Sequence, residues 1–158
     1  MGSEEKSLEE YTKADVIGVY AASIHGFISY VMLLKGIDWD DLVLPIYIGA
    51  PEAMAIDHAL KGYQPRRPLT HDLIISILGA LGVSVEKVTI DALIENVYTA
   101  TIVLTREENG KRVRYYIDAR PSDSVALALR AGAPIYVANR LKAYAISEET
   151  IRFEEEEE

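Results

Sequence analysis

The chain has 158 residues, of which 49% are apolar and 26% charged, which is typical of one globular domain with a buried core and argues against disorder. The absence of cysteine excludes a disulfide scaffold, a thiolate zinc site and a cysteine nucleophile. The formal net charge of −9 argues against a nucleic-acid partner unless the acidic residues lie apart from the binding surface.

Most of the negative charge lies in the two terminal segments. Glu154–Glu158 carry −5, and residues 1–10, with four Glu and one Lys, carry −3, so about −1 remains for residues 11–153. We therefore predict solvated acidic tails over residues 1–13 and 154–158, on either side of a nearly neutral domain over residues 14–153.

Other features of the composition indicate where in the cell the protein is located. No apolar run reaches the ~18 residues of a membrane span, and the acidic first residues do not resemble a secretory signal. We therefore expect a cytoplasmic protein with no membrane partner. Gln64 is the only glutamine, and this scarcity of amides in a Glu-rich chain without cysteine is typical of a thermophile.

The first half of the chain predicts strands over residues 15–21, 27–34 and 42–48, followed by a helix over 51–61 that Gly62 ends. A linking helix is predicted over residues 70–81, because its apolar residues recur at helical spacing. These residues are Leu73, Ile74, Ile77, Leu78 and Leu81.

The second half predicts the same order of elements. Strands are expected over residues 84–91, 97–105 and 111–118, a helix over 122–131 and a strand over 134–137. Asn109-Gly110 indicates a tight hairpin before the third of these strands, because a type I′ turn needs positive φ at both positions. One further short element, of a type that the pattern does not indicate, is expected before Phe153.

The two halves match each other at an offset of 69 residues, as in the pairs Ile48 with Ile117 and Ile56 with Val125. The repeats cover about residues 14–62 and 83–132. We therefore predict an α+β fold in which a duplicated β-β-β-α unit forms one curled mixed sheet flanked by helices. The residues expected in its core are Ile56, Leu60, Leu73, Ile77, Tyr98, Ile102, Leu104, Ile117, Val125 and Leu129.

Three polar segments lie at the predicted helix starts, over residues 49–52, 66–72 and 118–123. Helix capping accounts for part of each, because Thr70 and Ser122 can accept bonds from first-turn N–H groups. Alternatively, Pro51 and Pro121 mark the first helical positions. Either way, the helix starts attract anions.

Capping leaves the arginines and the histidine of these segments unexplained. Arg120 lies beside a helix start, where its guanidinium adds bidentate recognition of phosphate. His71 can act as a base or an acid, and Asp72, Asp118 and Asp123 offer carboxylates for catalysis or for a divalent metal. Their spacing matches no strong metal signature, so Mg²⁺ or Mn²⁺ is permitted rather than indicated, and no organic cofactor is indicated.

The strand over residues 111–118 adds a polar pattern of period two. Arg112, Arg114, Tyr116 and Asp118 project from one face, in line with Arg120. Arginines around a tyrosine suit a phosphate backbone with a stacked base. A solvated outer face of a sheet explains the same pattern without a ligand.

The quoted motifs also resemble those of a known family. Arg-Pro-Leu-Thr-His-Asp-Leu over residues 67–73 and the stretch over residues 117–130 are similar to the two signature stretches of the bifunctional nuclease domain family. Leu-Pro-Ile-Tyr-Ile-Gly over residues 44–49 matches a third, so the resemblance covers roughly residues 14–138. It implies a duplicated α+β fold and activity on both DNA and RNA. Ser124 departs from the family, which more often has alanine there.

Two functions are therefore expected to compete. In the first, a nuclease, Asp72, Asp118 and Asp123 hold a divalent metal that activates water, and His71 serves as base or acid. The residues expected to bind the nucleic acid are Arg67, Thr70, Arg114, Tyr116, Arg120 and Ser122. In the second, a homo-oligomeric regulatory module binds an anion or a nucleotide at the same helix starts without catalysis.

The nuclease hypothesis makes a geometric prediction. The residues Arg67, His71, Asp118, Arg120 and Asp123 should converge in one cleft, within the chain or across an oligomer interface. Separate capping roles would leave them scattered around the molecule.

Overall fold

The computed structural model describes residues 10–151. The tail predicted at residues 154–158 lies outside these residues, as do residues 1–9 of the other tail. The first strand begins at Tyr11, so the assignment of residues 11–13 to the acidic tail is wrong. These residues belong to the sheet because Tyr11, Thr12 and Lys13 pair with the antiparallel strand at Ile135–Ala138.

The elements follow the predicted order, with most strands longer at one or both ends. The strands are β1 (Tyr11–Ile24), β2 (Phe27–Gly36), β3 (Leu42–Ile48), β4 (Ser84–Ile94), β5 (Val97–Glu108), β6 (Lys111–Ala119), β7 (Ile135–Ala138) and β8 (Ile146–Ser147). The helices are α1 (Ala50–Lys61), α2 (Thr70–Ala80) and α3 (Pro121–Ala131), followed by a 3-10 helix at Asn139–Tyr144. The region before Phe153 whose type the pattern did not indicate holds this 3-10 helix, the short strand β8 and helical residues at 148–151.

Tight turns connect the strands of each half. Asn109 and Gly110 have φ of 52° and 78°, which confirms the predicted turn between β5 and β6. His25 and Gly26 join β1 to β2, and Glu95 and Asn96 join β4 to β5, also at positive φ. Three of the four antiparallel hairpins are therefore closed by short turns at positive φ, whose backbone twist matches that of the strands they join.

The eight strands form one mixed sheet that is not closed, in the order β6-β5-β4-β7-β1-β2-β3-β8. The β4–β7 pair is parallel, and the other neighbouring strands pair antiparallel. Each half contributes a three-stranded meander followed by a helix, and β7 joins the two meanders. The fold is therefore α+β as expected, while descent of the halves from one duplicated unit stays a prediction.

A partly buried carboxylate network connects the two meanders. Asp91 of β4 accepts hydrogen bonds from the hydroxyls of Tyr11 (2.7 Å), Thr89 (2.8 Å) and Thr101 (2.8 Å). Burial, and then the bond to Asp91, raise the pKa of the Tyr11 phenol well above its ordinary value. The network connects β1 to β4 although β7 lies between them in the sheet.

The core confirms part of the predicted list. Ile56 of α1 and Val125 of α3 are fully buried, Ile102 is buried, and Tyr98, Leu104 and Leu129 are partly buried against the same cluster.

The prediction of burial is wrong for four residues. Leu60 is 40% exposed, Leu73 and Ile77 are each 50% exposed, and Ile117 is 44% exposed. Ile117 lies on β6, which is an edge strand, and α2 packs against the rest of the chain through only part of its surface. Helical spacing identifies an apolar face but not whether the same chain covers it.

Candidate functional site

The starts of the three helices face one open chamber of about 1300 Å³. Glu52 from α1, His71 from α2, and Arg120 and Asp123 from the start of α3 all line it. Each helix start presents N–H groups that lack a partner within the helix, and the dipole of each helix favours negative charge at this end. The fold therefore brings the polar segments over residues 49–52, 66–72 and 118–123, which are far apart in sequence, to one place.

A chain of hydrogen bonds links these side chains. The Nε2 atom of His71 lies 2.9 Å from Oδ1 of Asp123. Arg120 donates from Nε to Oδ2 of Asp123 at 2.9 Å and from Nη2 to Oε1 of Glu52 at 3.2 Å. Both oxygens of Asp123 are thus engaged, and the carboxylate holds the imidazole and the guanidinium in fixed orientations.

The electrostatics of the network follow from these contacts. Burial by itself would raise the pKa of Asp123, but the hydrogen bonds from His71 and Arg120 outweigh it and hold the pKa below its ordinary value. The bond to Asp123 likewise raises the pKa of Arg120. Asp123 is therefore an anion at neutral pH, and Arg120 keeps its positive charge at the rim of the chamber.

The lowered pKa of Asp123 predicts a pH dependence of stability. A carboxyl whose pKa is lower in the folded state stabilises the fold above its unfolded-state pKa, and this stabilisation is lost as the pH falls through the folded-state pKa. We expect Asp123→Asn to remove this contribution, so that the stability difference between wild type and variant shrinks below about pH 4. Urea unfolding at several pH values measures it, and a difference that stays constant from pH 7 to pH 3 would contradict the assignment.

Asp72 lies on a different side of α2 from His71. Its carboxylate accepts a hydrogen bond from Nε of Arg130 at 2.7 Å and from the backbone N–H of Leu69 at 2.9 Å. Burial acts to raise the pKa of Asp72, but these two bonds outweigh it and lower the pKa. Asp72 therefore connects the start of α2 to α3 and does not line the chamber.

The predicted capping roles of Thr70 and Ser122 are wrong. Leu69 and Arg120 occupy the N-cap positions of α2 and α3, and neither helix has a side-chain cap bond. Thr70 is the first residue of α2, exposed at the edge of the chamber, while Ser122 is buried in the first turn of α3. The alternative prediction was that a proline occupies the first helical position. It is confirmed for Pro121, the first residue of α3, whereas Pro51 is the second residue of α1.

The other predicted residues lie outside the chamber. Asp118 is exposed on β6 opposite Thr101, and Arg67 is exposed in the connection before α2. Arg114 makes a bidentate ion pair with Glu86, through Nε at 2.9 Å and Nη2 at 3.0 Å. Tyr116 is exposed on the same strand. The structure thus brings His71, Arg120 and Asp123 together, and Asp118 and Arg67 are not among the residues that line their chamber.

The predicted metal ligands do not fit a divalent ion. Asp72, Asp118 and Asp123 lie in three different environments, and within residues 10–151 no group of three or more His, Asp or Glu side chains is arranged to hold a metal. Both oxygens of Asp123 already accept hydrogen bonds. The described part of the chain therefore does not supply the carboxylate cluster that a metal-activated water needs.

Glu52 and Arg130 are contacts that sequence reasoning missed. Glu52 belongs to one of the three polar segments, but its bond to Arg120 joins residues 68 positions apart. Arg130 ends the motif at residues 117–130, and its bond to Asp72 spans 58 positions. The sequence does contain a signal for both contacts. Glu52 and Asp72 lie in the first turns of their helices, where a nearby arginine can pair with the carboxylate.

The chamber walls are mostly apolar. They include Ile74 and Leu78 of α2, Ile102 and Leu104 of β5, and Ile117 of β6. Apolar walls lower the local dielectric constant and so strengthen the polar interactions beside them. Within the described residues, none of the helices has the length and apolar character needed to cross a membrane.

Comparison with known proteins relates these features to a family. A model described as the bifunctional nuclease domain matches residues 32–149. An uncharacterized protein of Mycobacterium tuberculosis is 46% identical over 115 residues, which are 73% of this chain and 65% of that protein.

Plant relatives are more distant. Bifunctional nuclease 1 of Oryza sativa subsp. japonica is 26% identical over 112 residues, and bifunctional nuclease 1 of Arabidopsis thaliana is 27% identical over 114 residues. These regions cover 71% and 72% of this chain and 34% of each plant protein. The chain thus spans about two thirds of the mycobacterial relative and about one third of the plant ones.

Proposed function

The chain belongs to the bifunctional nuclease domain family, and on this premise we propose that it is a nuclease that hydrolyses phosphodiester bonds of DNA and RNA at the chamber where the three helices begin. The observation that carries the proposal is the contact of His71 and Arg120 with the same carboxylate, Asp123. A base and a phosphate-binding cation held side by side at helix starts can activate a water and bind the phosphate that it attacks.

Arg120 is proposed to bind the scissile phosphate. Its side chain is largely exposed, and a guanidinium has five N–H donors, of which the bonds to Asp123 and Glu52 use two. The remaining donors, with the N–H groups at the start of α3, suit a phosphate oxygen. Thr70, exposed at the chamber edge, adds a hydroxyl.

His71 is proposed to act as the base. Asp123 accepts from one ring nitrogen and so orients the imidazole, which leaves the other nitrogen to take a proton from water. The water oxygen then bonds to phosphorus while the bond from phosphorus to the leaving oxygen breaks. The leaving oxygen takes a proton from a solvent water, and His71 returns its own proton to solvent. In this role Asp123 positions His71, and Asp72 positions the start of α2 through Arg130.

More distant residues are proposed to contact the rest of the nucleic acid. Arg67 lies before α2, and Arg114 and Tyr116 lie on β6, so each is outside the chamber. They suit neighbouring phosphates or bases rather than the scissile bond. We assign no step to Mg²⁺ or Mn²⁺, because the described carboxylates do not gather around a common point.

The second candidate is a homo-oligomeric regulatory module that binds an anion or nucleotide without turnover. The observation that favours it is the same dispersal of Asp72, Asp118 and Asp123, which argues against a metal-dependent nuclease and leaves Arg120 and the helix starts as an anion site. Both functions use Arg120, so binding alone does not separate them. Turnover does.

The test compares wild type with Arg120→Ala on single-stranded DNA, duplex DNA and RNA, each in chelator and in added Mg²⁺ or Mn²⁺. We expect wild type to cleave, and Arg120→Ala to bind substrate ~10–100-fold more weakly, because a lost charge-assisted hydrogen bond costs about 1.5–3 kcal/mol. Arg140→Ala, an arginine outside the chamber, is the matched control. Binding by wild type without cleavage under all conditions would favour the regulatory module.

A further inference from the structure

Strand β6 (Lys111–Ala119) forms one edge of the sheet and is open along its length. All nine of its residues pair with β5 without a bulge, and within residues 10–151 no strand lies on its other side. Seven of the nine are exposed. An open edge offers N–H and C=O groups to a further strand, and sheets normally protect it by proline, bulges, a short strand or charged side chains. β6 has only the last of these, so its charges decide what can pair with it.

The charges of β6 are arranged unevenly. Arg112 and Arg114 lie in its first half, and Asp118 lies near its end. Glu86 makes a bidentate ion pair with Arg114 but lies 3.8 Å from Arg112, which is longer than a hydrogen bond. Although Glu107 of β5 is opposite Arg112 in the sheet, the Arg112 side chain remains 58% exposed. Asp118 is exposed and forms no ion pair or hydrogen bond with any other described residue. Arg112 therefore keeps donors for a further carboxylate, and Asp118 offers one.

We propose that β6 pairs antiparallel with β6 of a second copy of this chain, around a two-fold axis at Tyr115, so that the two sheets become one. With Tyr115 on the axis all nine residues pair, which forms about eight to ten main-chain hydrogen bonds. Arg112 then lies opposite Asp118 of the second copy, twice by symmetry, and Arg114 lies opposite Tyr116, where its guanidinium can stack on the ring. The inference does not depend on the proposed nuclease activity.

The register follows from the symmetry and the charges. Opposite residues of an antiparallel pair point to the same face of the sheet, so a two-fold axis must pass through a residue and not between two residues. An axis at Arg114 would set the two Arg114 side chains against each other, and an axis at Tyr116 would set Arg112 against Arg120. Like charges directly opposite each other are destabilising. The order of charges on β6 is thus complementary to itself in one register, and this identifies the occupant as a second copy.

The proposed pair borders the chamber without covering it. Ile117 lines the chamber from β6, and Lys111 and Val113 point to the same face because side chains alternate along a strand. Val113 of the second copy would lie opposite Ile117, and Lys111 of the second copy opposite Ala119, the residue before Arg120. An added strand lies in the plane of the sheet, so it lengthens this wall and does not lie over the helix starts. It also brings a second cation close to Arg120.

A single introduced cysteine tests the register, because the chain contains none of its own. Two cysteines form a disulfide only if their Cα atoms lie within about 7 Å. Directly opposite residues, such as residue 115 and its copy on the axis, are about 4.5–5.5 Å apart, whereas residue 116 and its copy are about 8 Å apart. We expect oxidised Tyr115→Cys to run as a covalent dimer in a non-reducing gel, and Tyr116→Cys, the neighbouring exposed tyrosine, to remain monomeric.

Reversal of charge provides the second test. Analytical ultracentrifugation should give wild type a mass of twice 17.5 kDa. Arg112→Asp and Asp118→Arg should each raise the Kd of the dimer about tenfold, because each sets like charges opposite one another at two places. The double variant should restore the wild-type Kd. Lys142→Asp, a reversal at an exposed position in the 3-10 helix, should leave it unchanged.

Circular dichroism should show that all of these variants fold, since the substituted side chains are exposed. Three results would overturn the proposal: a wild-type monomer, equal cross-linking of Tyr115→Cys and Tyr116→Cys, or a dimer whose Kd neither single reversal on β6 changes.

Discussion

Replacing His71 with alanine is expected to lower the rate of phosphodiester hydrolysis by about 10²–10⁴-fold, the contribution of a positioned general base. The expectation follows from the position of His71 on the chamber wall and from its 2.9 Å contact with Asp123, which fixes the ring. Substrate affinity should change much less than the rate, because Arg120 remains in place. Single-turnover kinetics with saturating enzyme separates the two effects.

The control for this prediction is His25→Ala. His25 lies in the exposed turn between β1 and β2, away from the chamber, so its loss should leave the rate unchanged. Circular dichroism and unfolding curves should show that both variants fold. Equal rates for wild type and His71→Ala would mean that His71 is not the base.

Truncation of Ile56 to alanine is expected to lower the free energy of unfolding by about 2–5 kcal/mol. Ile56 is fully buried in the main core cluster, where α1 packs with α3 and the sheet, so its removal leaves a cavity that neighbours cannot easily fill. Urea denaturation followed by tryptophan fluorescence measures the change. Trp39 is the only tryptophan and is itself buried in that cluster.

Leu60→Ala is the matched control, because it removes an aliphatic side chain from the same helix at an exposed position. It should cost less than about 1 kcal/mol. A small cost at Ile56, or equal costs at both positions, would show that the face of α1 is assigned incorrectly.

Much of the fold was predictable because its signals are local. Asn109 and Gly110 specify a turn with positive φ at both positions, and Gly62 and Gly132 end two helices in the left-handed conformation. The residues of the core depend on which elements meet in space. The pattern of α2 therefore revealed an apolar face at Leu73 and Ile77 but not that this face stays exposed within the chain.

Part of the candidate site was also predictable from the sequence. The anion preference of a helix start pointed to Arg120, and the polar segments contained His71 and Asp123, which the fold brings into contact. Asp118 was expected in the same cleft because it precedes α3 in sequence. Its strand is at the edge of the sheet, however, and its side chain is exposed.

The central claim is tested most directly by measuring cleavage of one labelled single-stranded substrate by wild type, His71→Ala, Arg120→Ala and His25→Ala, purified identically. The proposed nuclease predicts that wild type and His25→Ala cleave at the same rate, whereas His71→Ala and Arg120→Ala lose most of the activity. Four equal rates would show that a contaminating nuclease, and not this chamber, cleaves the substrate.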